Sequence, residues 1–379
     1  MRRLIASALV MAGVYSALTG CSYRQNSSAA SLPELRAQAG YPFKTVWEQS
    51  ALPFSGKIFG ATEKDRVYLA DDTGFVEARD LISGKVLWHD DLSVKISSPP
   101  GADSKQVYLG TKNGKLYALD QKGKLAWVRN LPSSLFAAPV ATGQGVLTFT
   151  HDNTVELWAA DGTASWQGEH HVPALMLYNS ATPTVDGDFA YVGYSDGAVA
   201  AIELSTGQTI WQRFISEPKG RTDIQRMADV VASPLVQNDL VFAVNYQGQT
   251  VALNKGNGTL VWSAPVESVK NMDANITQLF LTTSEDVLVS LEQSSGTILW
   301  RQEALKGRGL SAPLRRGNHI LVSDNQGYII TLAADTGEIL GYRQLTSAVS
   351  DRLLMLPCET HGLLVYLPAV GRLTRFEGP

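Results

Sequence analysis

The 379-residue chain is 44% hydrophobic and only 18% charged, which supplies a full core and excludes a disordered chain. A formal net charge of -4 excludes the global basic field that nucleic-acid binding needs, and two cysteines exclude a disulfide framework. The length alone suggests two or three domains. Thirty-three glycines, sixteen prolines and eight tryptophans are the unusual part: many turn formers, and more Trp than a helical protein needs.

The chain opens on Met1-Arg2-Arg3, and an apolar run extends from Leu4 to Leu18. That run is too short for a comfortable membrane span and has the length of a signal-peptide core. It closes on Leu18-Thr19-Gly20-Cys21, which resembles the box at which bacterial lipoproteins are cleaved. The resemblance implies a leader over 1–20 and acylation of Cys21, palmitate included. Ser22 in place of Asp implies sorting to the outer membrane. Residues 21–42 then read as a lipidated cysteine and a flexible tether, and 43–379 as the folded part. Cys358 is expected to be a small buried apolar side chain.

From residue 67 onward one period governs the chain. Gly114 to Asp120 with Gly123 to Trp127 recurs as Gly74 to Asp80 with Gly84 to Trp88, and as Gly197 to Glu203 with Gly207 to Trp211. Gly248 to Asn254 with Gly258 to Trp262, and Asp286 to Glu292 with Gly296 to Trp300, continue the series; weaker copies end at Trp166 and Gly341. A β-rich run such as Val67-Tyr68-Leu69 or Val107-Tyr108-Leu109 precedes each group. Each unit therefore reads as strand, turn, alternating strand, Gly hairpin turn, and a strand ending in Trp. Pro99, Pro139, Pro183, Pro234 and Pro313 precede these groups and are expected to open the innermost strand of their units, where no ladder donor is required.

Four strands in about 40 residues is the signature of a β-propeller blade. Seven units end at Trp88, Trp127, Trp166, Trp211, Trp262, Trp300 and Gly341. An eighth begins near Leu363 and lacks its last strand, which Lys44-Thr45-Val46-Trp47 supplies from the other end. The expected fold is all-β: an eight-bladed propeller of four-stranded antiparallel blades, the last closed by the N-terminal strand. Seven blades is the competing count.

The repeated Ala-x-Asp-x-x-x-Gly-x-x-x-Trp pattern resembles the tryptophan-docking repeat of quinoprotein propellers. That resemblance raises a quinone (PQQ)-dependent periplasmic dehydrogenase as the alternative function. Such enzymes imply clustered calcium ligands and commonly an adjacent Cys pair, and no motif here marks either. Glu169-His170-His171 is the densest ligand-like cluster, yet adjacent histidines on a strand face opposite ways. No catalytic residue, metal ligand or cofactor is expected.

The breaks in the period carry the functional signal, because insertions in a repeat protein map to loops. From terminal Trp to the next Pro the distances are 11 (Trp88 to Pro99), 12 (Trp127 to Pro139) and 13 (Trp300 to Pro313) residues, against 17 (Trp166 to Pro183) and 23 (Trp211 to Pro234). The two long connections come after consecutive blades and should emerge side by side on one face. The first carries the apolar run His171 to Tyr178, either a local lid or a set of anchors for a partner. The second, Ser216 to Asp229, mixes both charge signs, and Thr222 can cap a helical turn with Gln225. A balanced charged loop beside an apolar one suits protein recognition.

Arg221-Thr222-Asp223-Ile224-Gln225-Arg226-Met227-Ala228-Asp229 and Pro173-Ala174-Leu175-Met176-Leu177 are similar to two segments of the BamB family, lipoprotein subunits of the bacterial β-barrel assembly machinery. The resemblance covers nearly the whole chain after the leader. It implies a non-catalytic scaffold facing the periplasm, whose two loops bind the POTRA domains of the barrel insertase, BamA. By position it implies Leu175, Leu177, Tyr178, Arg226 and Asp229 as partner-binding residues. Nascent outer-membrane proteins are a second implied partner. Tyr178 stands where the family often has Arg, and Val231 where it has a second Asp, so the electrostatic share of the contact is expected to differ.

Overall fold

Middle strands with apolar residues on both faces require partners on both faces, and a ring of packed blades provides them. Val67, Tyr68, Leu69 and Ala70 are all buried, as are Val241 to Val244. The computed structural model describes residues 44–50, 57–177, 181–216, 222, 224, 227–246, 248–345, 354–357, 362–367 and 371–377. Among them lie eight four-stranded antiparallel sheets and no α-helix. In chain order the blades span 58–91, 101–130, 140–168, 184–214, 235–264, 273–302 and 314–344. The eighth joins Leu354–Pro357, Gly362–Leu367 and Arg372–Glu377 to Lys44–Ser50. Lys44 pairs with Glu377 and Ser50 with Arg372, so the N-terminal strand closes the ring.

The first strands of neighbouring blades touch, which makes them the inner wall. All five predicted prolines immediately precede such a strand or stand two residues before it. Two details differ from expectation. The Trp does not end its strand: Val86–Asp91 runs three residues past Trp88, because the outer strand must reach the next connection. The eighth blade starts at Leu354, earlier than Leu363, on a short apolar strand that carries no preceding Pro signal. Cys21, the 1–20 leader, the 21–42 tether and Cys358 lie outside the described residues.

There is no single core. Among the described residues, eight apolar layers lie between successive blades, such as the layer of Phe59, Tyr68 and Val76 against Ile96, Val107 and Leu109. In seven of the blades a hairpin glycine lies at the rim of such a layer: Gly84, Gly123, Gly162, Gly207, Gly258, Gly296 and Gly337. Their φ values run from 68 at Gly258 to 83 at Gly123, where a side chain is strained. Each also lies under the Trp ring of the preceding blade: a Cβ on Gly258 would stand 2.5 Å from Trp211, and one on Gly84 2.8 Å from Trp47. The indole N–H then donates to the same turn, from Trp47 to Leu81 O (3.0 Å), Trp211 to Lys255 O (2.9 Å) and Trp262 to Gln293 O (2.7 Å). Trp127, Trp166 and Trp300 do likewise.

Among the described residues the Trp88 N–H finds no acceptor. The equivalent carbonyl, Gln121 O, instead accepts from Arg66 Nη1 at 3.2 Å. The absence of a Trp at Gly341 has a topological cause. Its neighbour, blade 8, receives its outer strand from the N-terminus and so has no hairpin turn for an indole to cover.

Glu156 is a buried carboxyl in blade 3, pushed up to about 7 by desolvation and, secondarily, by Asp152. Its Oε2 has no hydrogen-bond partner among the described residues. A carboxyl raised in the folded state stabilises only while neutral. Its contribution is complete below the unfolded value and is lost as pH rises towards and through 7.

Gly258→Ala is expected to cost about 1–3 kcal/mol, from positive φ and overpacking against Trp211, and to lower the urea midpoint with an unchanged slope. An unchanged midpoint would show that the turn and indole relax freely. Glu156→Gln is expected to match the parent near pH 5 and to exceed it by roughly 2 kcal/mol near pH 8 in the same assay. Parallel stability curves across that range would refute the buried-carboxyl account.

Candidate docking site

The two long connections meet. Leu177 N–H donates to Asp229 Oδ1 at 2.8 Å, across 52 residues of sequence. The adjacency expected from their unequal lengths is therefore present. Asp229 is buried (1% exposed), and desolvation raises its pKa while the Leu177 amide opposes the rise. Its backbone is fixed by two ring contacts: Val230 N–H donates to Tyr194 O (3.1 Å), and Tyr246 N–H to Asp229 O (3.0 Å). Ala228, Val230, Val231 and Ala232 are buried around it. Gly193 is required beneath this stretch, because a Cβ there would lie 2.4 Å from Val230.

The first connection is pinned by a second set of polar contacts. His170 Nε2 lies 2.7 Å from Asp196 Oδ2, and its ring stacks on Tyr194 at 3.8 Å. Asn153 Nδ2 donates to His171 O and to Ser195 Oγ, both at 2.7 Å. His170 is thus part of a wall. Among the described residues no group of three His, Cys, Asp or Glu converges as a metal site.

Between these pins the apolar run divides. Met176 faces a cavity of about 10 Å³ that Asp229 also lines, which is room for about one water. Leu175 is 41% exposed and overhangs a cleft of about 640 Å³. His170, Pro173, Asp196, Gln212 and Phe214 line that cleft. One side chain of the run, Met176, packs down and its neighbour, Leu175, is exposed.

Of the five residues inferred from sequence, Leu175 is exposed and Leu177 half-buried, held by its amide. Asp229 is buried beneath them. Tyr178 and Arg226 lie outside the described residues, as does most of the charged segment around Thr222 and Gln225. Val231, where a second Asp was expected, is buried. Phe214 was missed, although it is 55% exposed and stands in the cleft. Its signal was in the repeat: three residues after the docking Trp the other blades carry Ser50, Asp91, Asn130, Glu169, Pro265 and Glu303. An aromatic at that place breaks the pattern.

Comparison with known proteins agrees with this architecture. The model of the family described as outer membrane protein assembly factor BamB matches residues 72–286 and 275–356. The outer membrane protein assembly factor BamB of Legionella pneumophila (strain Paris) is 36% identical over 292 residues, 76% of this chain and 76% of its own length. Among solved structures, BamB from Moraxella catarrhalis superposes with a TM-score of 0.79 at 24% identity, covering 88% of this chain and 99% of that one. Quinohemoprotein alcohol dehydrogenase from Comamonas testosteroni has a TM-score of 0.69 at 12% identity, over 91% of this chain and 78% of its own, a likeness of fold alone. The family match over more than half of the chain and the 36% identity place it: the chain belongs to the outer membrane protein assembly factor BamB family.

Proposed function

We propose that this protein is a non-catalytic scaffold of outer-membrane β-barrel assembly. It is held to the outer membrane through a lipid on Cys21, faces the periplasm and docks on the POTRA domains of the BamA-like barrel insertase. Assistance to nascent outer-membrane proteins is a consequence of that placement. The observation that carries the reading is two exposed apolar side chains at one cleft: Leu175, on the loop held by the Leu177–Asp229 bond, and Phe214, at the end of an outer strand. Protein interfaces draw most of their affinity from a few such anchors in a pocket with a polar rim, which His170, Asp196 and Gln212 supply here. Pre-ordering the loop lowers the entropic cost of association.

Within this reading the implied residues have different roles. Leu175 contacts the partner; Tyr178 and Arg226 extend the contact; Leu177 and Asp229 position the loop. A buried carboxylate cannot meet a partner's surface, but its loss releases the segment that does.

Leu175→Asp combined with Phe214→Ser is expected to reduce copurification of the insertase at least about tenfold while the melting temperature stays unchanged. Full recovery of the insertase would mean that another face docks. Asp229→Ala is expected to weaken copurification and to raise hydrogen exchange at the Leu177 amide, at a stability cost of about 1–3 kcal/mol. Asp229→Asn keeps an acceptor for that amide and is expected to restore both. Failure of Asn to rescue, with Leu177 still protected, would show that the partner reads the charge itself.

A further inference from the structure

The central channel opens on the face that carries the docking cleft. Its mouth, about 740 Å³, is bounded by the connections that lead into the inner strands, from Lys57 and Ile96 through Phe136 and Val231 to Lys270. Val231 lines both the mouth and the small cavity that Met176 faces, and Ser195 lines both that cavity and the cleft, so mouth and cleft are neighbours.

The charge on this mouth opposes that of the chain. The chain has a formal net charge of -4, yet among the described residues that line the opening there are four lysines and one carboxylate, Asp72. Lys270 is paired with Asp286 at 2.9 Å on the far side. Lys57, Lys95 and Lys112 stand exposed together on blades 1 and 2. The Lys112 N–H donates to Lys95 O at 3.0 Å, and the Asp72 N–H to Lys57 O at 3.0 Å, so the backbones that carry this sector are fixed. The Lys57 ammonium lies 5.0 Å from the Phe59 ring. Phe136, half-buried, is the apolar surface beside these cations, with the buried Phe59 and Ile96 behind it.

We propose that this mouth binds an extended polypeptide segment in which carboxylates alternate with apolar side chains. The exposed ammonium groups of Lys57, Lys95 and Lys112 take the carboxylates, and the half-buried Phe136, backed by the buried Phe59 and Ile96, takes the apolar side chains. Charge complementarity sets the sign of the occupant, and focusing of the field in a concave, partly apolar opening strengthens it. The choice of a polypeptide over a small anion rests on the assembly role proposed above; the cation-rimmed mouth itself does not.

The test uses the full chain and three ten-residue peptides, each labelled with an uncharged dye and monitored by fluorescence anisotropy. One alternates Glu with Leu and Phe; the others replace Glu by Gln or by Lys. The Glu peptide is expected to bind at least about tenfold more tightly than either, and to lose that advantage in about 0.5 M salt. Lys57→Gln, Lys95→Gln and Lys112→Gln together are expected to weaken it about tenfold. Lys95→Glu alone provides a second reading if the triple variant melts early. Leu175→Asp with Phe214→Ser, which targets the cleft, is expected to leave peptide binding unchanged, so the two proposals fail separately. Equal binding of the three peptides, or no effect of the lysine substitutions, overturns the proposal. Displacement of the Glu peptide by 2-naphthoate at equal affinity also overturns it, because the site would then be one for small anions.

Discussion

The contact on which the ring depends is an indole laid over a glycine of the next blade. Each blade is a twisted sheet with two apolar faces and cannot bury both alone. Face-to-face packing buries the middle strands, but such packing is non-directional and permits sliding. The indole removes that freedom, because it fits where a hairpin turn lacks a Cβ, and every docked indole except that of Trp88 also donates its N–H to a carbonyl of that turn. A second aromatic holds it from behind: Tyr108 lies 6.1 Å from Trp127, and Phe242 5.9 Å from Trp262. The direction is the same from blade 1 to blade 7, so every blade is placed by its predecessor. At blade 8 the device lapses, since no hairpin turn exists there. Pairing of Lys44–Ser50 with Arg372–Glu377 and the Arg343 guanidinium, 5.0 Å from the Phe376 ring, act at that junction instead.

This closure also fixes where the chain enters. Outer strands run towards the face on which the connections cross to the next inner strand, and Lys44–Ser50 runs the same way. It therefore begins on the face opposite the mouth and the cleft. The acylated tether proposed over 21–42 precedes this strand, and a segment of that length reaches roughly 70 Å at full extension. In the proposed reading, membrane attachment and partner docking use different faces of the ring, which can then hold both at once.

Much of this was legible because repeats state their own geometry. The Gly and Trp spacing gave the blade, the prolines located the inner strands, and the surplus Trp47 revealed the closing strand. The site was half legible. Unequal connection lengths predicted that the two loops meet on one face, and the apolar run around Leu175 contains a side chain exposed there. Asp229 was misleading, because an Asp at the end of a segment of mixed charges looks solvated. Its burial depends on the Leu177 amide 52 residues away and on ring packing around Val230, neither of which has a local signature. Phe214 was within reach: aligning the outer strands on the Trp and comparing the third residue beyond it singles out the one aromatic.

Asp229 also shows how a rigid repeat holds an irregular loop in place. Its Oδ2 is buried without a hydrogen-bond partner among the described residues, a cost of about 1–3 kcal/mol in a neutral comparison and more for a charge. An apolar residue would pack there more favourably but could not accept from Leu177. Blade 7 shows the contrast: Arg308 stands at the same place in the period, and its backbone carbonyl accepts from Asn325 as that of Asp229 accepts from Tyr246. There the side chain satisfies itself against Asp324 within its own blade, and the connection stays short. At Asp229 the side chain reaches out to the neighbouring connection instead. One position of the repeat thus serves the frame in one blade and holds a neighbouring connection in another, and the unsatisfied oxygen is the cost of that second use.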